Sequence, residues 1–380
     1  MRSFTLILTM ATWWLFSCGP TDSNLQQQST GVDYQSMPKI DIHAHYQHAR
    51  DYLDSLFVDW NMRAVLVDVS KQDSVYRQHS WDDNLGMQVT EIDSVHTARS
   101  WDQYVKHQDK YPQLFWLCSS FIGVGIDEPD YAQRVIEQLT LEIEAGAKMV
   151  KVWKNFGMVT LDQSGRFIQI DNQRLQPIWD FLVSRDIPVM AHIGEPIQAW
   201  LPLDDPNNPH YGYYNNHPEY HAYQHPEIPH YDTIMAARDR WMAQNPQLQV
   251  LCAHLGSMSH DVQMVAQRLD TYPNMLVEMG ARFGDLAGQD SDEVAAFFVK
   301  YQDRILFGSD YGNRQLHDRL SAQELEQEQQ VLIENYQRLF RYLATRDSLV
   351  IRNQHTRGLG LDKEVLEKVF SKNAETLLQL

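Results

Sequence analysis

Residues 39–46 read KIDIHAHY. On a β-strand, residues two apart face the same side, so His43 and His45 point together from one strand. Seven further short β-rich runs follow at intervals. They are RAVLVDVS (63–70), LFWLCSSF (114–121), AKMVKVW (147–153), IPVMAHIG (187–194), LQVLCAHLG (248–256), NMLVEMGA (274–281) and RILFGSDYG (304–312). Longer stretches lie between them, and residues 131–145 and 171–185 carry apolar side chains at helical spacing. Eight strands alternating with helices predict an α/β fold, a (β/α)8 TIM barrel, with His43 and His45 near its C-terminal mouth. A doubly wound open sheet is the competing architecture. No Gly-rich phosphate fingerprint follows the first strand, which weakens it.

The composition agrees with one large barrel. The chain has 380 residues, 43% hydrophobic and 11% aromatic, enough for a sizeable core. With 32 basic and 50 acidic residues the net charge is −18, which argues against nucleic acid or an anionic lipid surface as partner. Three cysteines cannot staple a fold or build a four-thiolate zinc site. Apolar neighbours make Cys118 and Cys252 buried thiols. Residues 71–113 and 195–235 are insertions. The second follows strand five, is rich in Pro, Tyr and His, and reads as a long lid. Ser321 and Glu324 form a capping-box pattern before a long helix, and a last helix starts near Lys363.

Ahead of the barrel (39–380) lie two other segments. Residues 3–17, behind Arg2, form an apolar run of signal-peptide length, short of the roughly 20 residues of a membrane span. The run ends in Leu15-Phe16-Ser17-Cys18, which resembles a bacterial lipobox. Residues 1–18 are thus expected to be a signal peptide with Cys18 lipidated, and an ordinary signal peptide or short anchor is the alternative. Residues 19–38 are polar, a flexible tether spanning about 25 Å. The expected location is the bacterial cell envelope, periplasmic or outer-membrane, with membrane contact only through the lipid.

Three more strands follow one template, an apolar run, one polar residue and a nearby glycine: PVMA-His192-IG, VLCA-His254-LG and ILFGS-Asp310-YG. Each polar group sits where a barrel strand ends and its active-site loop begins. Buried imidazoles and a carboxylate need partners, and a divalent metal is an economical shared one. An isolated HxH occurs by accident of composition; five such residues at strand ends do not.

The ordered set resembles the amidohydrolase superfamily, specifically the amidohydrolase-related branch with aminocarboxymuconate-semialdehyde decarboxylase-like enzymes. Phe370-Ser371-Lys372-Asn373-Ala374 is similar to that branch's closing helix. The resemblance implies that His43, His45, His192 and Asp310 bind one divalent metal, most often zinc. It implies that His254 stays off the metal and activates water or polarises substrate, and that Asp310 shuttles a proton. A homodimer is the assembly it suggests.

Lys151 and Lys154 lie on or just after strand four. Binding a substrate carboxylate ranks first for them, a solvated lysine second, and a metal-bridging carbamate, as in binuclear members of the superfamily, third. Arg282 either forks onto a substrate carboxylate or is an ordinary surface arginine. His210, His217, His221, His225 and His230 read as loop residues, because Pro218, Pro226 and Pro229 break the helix that a second metal site would need. The leading function is metal-dependent hydrolysis of a small ester, lactone or amide. Non-oxidative decarboxylation of a small carboxylated substrate is the runner-up, and a non-catalytic ligand-binding barrel is third.

Overall fold

The structure, a computed structural model, describes residues 32–69, 81–82, 86–87, 94–206, 208–216, 218, 221–313 and 319–380, with 81–82, 86–87 and 94–100 described as backbone only. The expected signal segment, Cys18 and most of the tether lie outside the described residues, as does His217. No helix among the described residues is long and apolar enough to cross a membrane.

Every one of the eight runs forms a strand, and all join one parallel sheet. β1 (Lys39–Tyr46), β2 (Met62–Val67), β3 (Phe115–Phe121), β4 (Ala147–Val152), β5 (Val189–Ala191), β6 (Val250–Cys252) and β7 (Met275–Glu278) pair side by side in chain order. The eighth run is divided. β8 (Ile305–Leu306) pairs with β7, and β9 (Tyr311–Asn313) pairs with β1. Between them, Ile42 N–H donates to the Phe307 carbonyl (3.0 Å) and Asp310 N–H to the His43 carbonyl (2.8 Å). One passage of chain therefore joins both sheet edges, and the barrel closes. Helices cross between successive strands: α1 (Asp51–Asp59), α2 (Ser94–Lys110), α3 (Tyr131–Glu144), α4 (Gln176–Ser184), α5 (Tyr231–Gln244), α6 (Val262–Thr271) and α7 (Ser291–Lys300). α3 buries Tyr131, Val135, Leu139 and Glu142, steps of four, four and three residues that share one face. α8 (Ala322–Ala344) opens on the Ser321–Glu324 capping box read from the sequence.

Two apolar layers result. Ile40, Ile42, Val65, Val67, Met149, Met190, Leu251 and Leu306 fill the barrel, while a larger shell lies between sheet and helices. Ala374, Leu377 and Leu378 of the last helix join the inner layer. Asn373 fixes that helix by donating to the Gln302 and Ile305 carbonyls (2.7 and 2.8 Å).

β1 carries an irregularity that positions the site. Asp41 pairs with Ala64 and Ala44 with Leu66, so three steps on β1 span two on β2. This bulge reverses the side-chain alternation. Ile40 and Ile42 face the interior below it, while Ala44 and Tyr46 join the outer layer above it. His43 and His45 therefore turn inward over an apolar floor.

Among its described residues, the 195–235 insertion holds the short helical turns Ile197–Trp200, Tyr211–Asn216 and Ala222–Gln224 before α5 begins at Tyr231. No continuous helix joins His221 to His225, in keeping with the prolines. Cys118 and Cys252 are buried thiols that form no disulfide.

Candidate metal centre

The site is assembled from strand ends. Glu278 closes β7, fully buried, and its Oε1 lies 2.9 Å from His43 Nδ1. The His254 and Gly280 amides also donate to it (2.7 and 2.5 Å). Burial opposes its ionisation, but His43, His254 and Lys151 hold its carboxyl down to about 2. An ionised carboxylate only accepts, so His43 carries its proton on Nδ1 and keeps a lone pair on Nε2. The same logic applies twice more. His45 Nδ1 donates to the Val67 carbonyl (3.0 Å) and His254 Nδ1 to the Gly280 carbonyl (2.7 Å), leaving each Nε2 as the other ring nitrogen.

Three acceptors then face one another. His43 Nε2 and His45 Nε2 are 3.2 Å apart, and Asp310 Oδ1 lies 3.3 Å from the first and 3.0 Å from the second. Burial opposes the charge on Asp310, yet His43, His45 and His254 keep its carboxyl well below the usual range. Lone pairs converging at this range call for a cation, and two imidazoles with a carboxylate are a donor set for a divalent metal. The donor set therefore fits the metal that the sequence resemblance implies.

His192 and His254 complete the cluster from β5 and β6. Their ring centroids are 4.3 Å apart, and the His254 ring lies 5.0 Å from that of His43. His192 Nε2 is buried with no hydrogen-bond partner among the described residues, which fits a metal-ligating atom. Burial holds both imidazoles well below their ordinary pKa, and the Arg282 charge adds to this for each.

His254 reaches the mouth through an unusual backbone. His254, Leu255, Gly256 and Ser257 have φ of 58°, 55°, 63° and 60°, a left-handed turn. Such a conformation costs roughly 1–2 kcal/mol for each non-glycine residue. Clamps hold it: Ser257 Oγ donates to the Ile193 and Gly194 carbonyls (3.0 and 2.9 Å), Tyr231 Oη to the Ser257 carbonyl (2.8 Å), and Arg238 to the Gly256 carbonyl. Asp310 also sits at positive φ, 62°. Strain held this firmly gathers at functional sites.

Neither lysine is solvated. Lys151 is fully buried, donates to His43 Nε2 at 2.9 Å, and lies 4.9 Å over the Trp153 ring. Burial lowers its pKa to about 8. Lys154 is buried in an ion pair with Glu195, whose other oxygen lies 3.8 Å from Arg282. Arg282 is buried too, which removes the surface-arginine alternative. The described lid histidines do not converge. His210 contacts both oxygens of Asp285 (2.8 and 2.9 Å), His221 the Leu201 carbonyl (2.8 Å), and His230 caps α5.

The structure adds Glu278 and Glu195 to the site residues that the sequence pattern singles out. A lone carboxylate on the otherwise apolar β7 was the available signal for Glu278. Glu195 follows directly on the His192-Ile-Gly turn, but its partners come from other strands.

A family profile described as amidohydrolase matches residues 40–380, so the chain belongs to the amidohydrolase family. No curated protein matches its sequence. Among solved structures, a 2,6-dihydroxybenzoate decarboxylase from Rhizobium is 13% identical with a TM-score of 0.50, covering 90% of this chain and 99% of that one. A dihydroxybenzoic acid decarboxylase from Polaromonas sp. JS666, with bound manganese and the inhibitor 2-nitroresorcinol, is 14% identical with a TM-score of 0.51, covering 90% and 97%. A dihydroorotase from Campylobacter jejuni is 10% identical with a TM-score of 0.43, covering 92% and 87%. At these identities the likeness is one of fold.

Proposed function

We propose that the barrel mouth is a divalent-metal site that decarboxylates a small, hydroxylated aromatic carboxylate without oxidation. The observation that carries the metal is the convergence of His43 Nε2, His45 Nε2 and Asp310 Oδ1 within 3.3 Å. The names of the two decarboxylases that share the fold support the reaction class and move weight from hydrolysis, the leading sequence expectation, to its runner-up. His43, His45 and Asp310 would hold the ion, with His192 closing on it from β5. When bound, such an ion polarises a coordinated oxygen and acidifies a bound water. Manganese stands beside zinc as a candidate.

The chain's own groups enter as bases. His254 is neutral with its Nε2 free of the Gly280 contact, and Asp310 is ionised. Neither His254 Nε2 nor Asp310 brings a proton of its own, so the one they deliver to the ring carbon is first taken from the substrate hydroxyl. The carbon–carboxylate bond breaks, its electron pair stays on the ring, CO2 leaves, and that proton returns to the carbon. Charge balances between a hydroxyl-bearing carboxylate and a phenolate product.

One observation favours a second reading. The Lys151 ammonium and a metal compete for the same His43 lone pair. Carbamylation would replace that positive charge with an anionic ligand and make a two-metal hydrolase. Metal analysis and products decide between them. One ion per chain with CO2 release from dihydroxybenzoates supports the proposal; two ions per chain with lactone or ester hydrolysis replaces it. His45→Ala and Asp310→Asn should each lose the ion; a folded variant with unchanged metal content would refute the centre itself. Envelope anchoring through Cys18 and a homodimeric assembly remain part of this proposal.

A further inference from the structure

β8 ends at Leu306 and β9 begins at Tyr311, so the seam that closes the barrel runs through residues 307–310, which belong to neither strand. Two amides on that seam, those of His43 and Ser309, donate to one side chain. Asp41 Oδ1 accepts them at 3.1 and 3.0 Å. Its other oxygen, Oδ2, accepts from Ser309 Oγ and from Tyr336 Oη of α8, both at 2.5 Å. These donors fill the roughly four acceptor sites of a carboxylate. The Tyr336 hydroxyl gives its proton to Asp41, so it accepts from Tyr46 Oη at 2.9 Å. Ser309 Oγ likewise accepts from the Tyr311 amide at 3.0 Å. Asp41, Tyr46, Ser309 and Tyr336 are all buried.

We infer that Tyr336, acting through Asp41 and Ser309, is a positioning residue that sets the spacing between the β1 histidines and Asp310, and with it the affinity of the site for a divalent metal. This rests on reading His43, His45 and Asp310 as the donor set. The two sides of that set meet across the seam: His45 and Asp310 are 265 residues apart in sequence and 3.0 Å apart in space. Asp41 grips the His43 amide on one side, and on the other it grips Ser309, the residue before Asp310. Metal ligands must hold their distances to within about 0.2 Å, so a seam that loosens by more than that weakens binding. Tyr336 brings α8 into this clasp. Its ring packs against Tyr311, Phe57 and Phe307, with centroids 5.2, 6.4 and 6.4 Å away, while its hydroxyl alone reaches Asp41. Ring and hydroxyl therefore have separable jobs, packing and positioning.

The test is chelator competition for manganese on the full chain, with urea unfolding of the same proteins alongside. Tyr336→Phe keeps the ring and removes the hydroxyl. It should weaken manganese binding by about tenfold, the low end of the cost of losing a group that supports a ligand. Ser309→Ala should do the same. Tyr342→Phe is the control: it lies on the same helix, and its buried hydroxyl has no hydrogen-bond partner among the described residues. Its manganese affinity should stay within about twofold of wild type, since no ligand depends on that hydroxyl. If Tyr336→Phe unfolds at lower urea yet binds manganese as wild type does, Tyr336 is structural and the inference is wrong. It is equally wrong if Tyr342→Phe weakens binding as much as Tyr336→Phe. Should Tyr336→Phe fail to fold, Ser309→Ala decides by the same comparison. A wild type that binds neither manganese nor zinc would overturn the metal centre itself and the positioning role with it, whereas tight wild-type binding unaffected in Tyr336→Phe overturns the positioning role alone.

Discussion

Glu278 meets three groups at once: the His43 ring, the His254 amide and the Gly280 amide. It thereby fixes the His43 tautomer and links two of the site's histidines. Glu278→Gln should lower metal affinity by about 10–100-fold, the usual cost of losing a carboxylate behind a ligating histidine. Chelator competition measures this, and an unchanged affinity would show that His43 needs no orienting partner. His254→Asn should keep the ion and lose turnover by about 10²–10⁴-fold, as expected of a proton-transfer group. Lys151 offers a pH test. Its folded pKa, about 8, is below the unfolded value of 10.5, so the unfolded chain binds more protons in between and stability should rise with pH across that window. Lys151→Met removes the effect. The variant should melt above wild type at pH 7, with the gap closing between pH 8 and 10.5; a gap constant with pH would mean Lys151 pays no burial penalty.

At the scale of elements, the bulge in β1 and the left-handed turn after β6 do the positioning. Gly256 has φ of 63°, and a Cβ there would meet Arg238 Nη1 at 3.0 Å. Gly256→Ala should therefore destabilise by about 1–2 kcal/mol and displace His254. The 195–235 insertion read as a lid, and its described contacts tie part of it down. His210 and Ser259 share the buried Asp285 carboxylate, held in its charged form against burial by His210 and Arg282. His210→Ala should cost about 1.5–3 kcal/mol, the value of a hydrogen bond to a charged group. Urea unfolding tests this; an unchanged midpoint would free the segment to act as a movable lid.

At the scale of the whole molecule, the anchoring expectation stands apart from the chemistry. With a net charge of −18, the protein has little electrostatic reason to stay on an anionic membrane, so retention should depend on acyl chains at Cys18. Expressed in a Gram-negative host, wild type should take up labelled palmitate and fractionate with membranes. Cys18→Ala should lose both, and a labelled variant would place the modification elsewhere.

The eight runs, their order and the parallel barrel were readable in the chain, because short β-rich segments separated by helical spacing leave few ways to close a sheet. So were His43, His45, His192, His254 and Asp310, since each ends an apolar strand where polar groups have no structural reason to be. The face they present was not. In KIDIHAHY, simple alternation sets His43 and His45 opposite Ile40 and Ile42, yet all four look inward, because pairing with β2 inserts a bulge between them. Glu278 as an orienting group, Lys151 on the His43 lone pair, and the Lys154, Glu195 and Arg282 grouping were equally unreadable. Each depends on side chains from strands and loops far apart in sequence, brought within hydrogen-bonding or ion-pair range only when the barrel closes, and no local period records such distances.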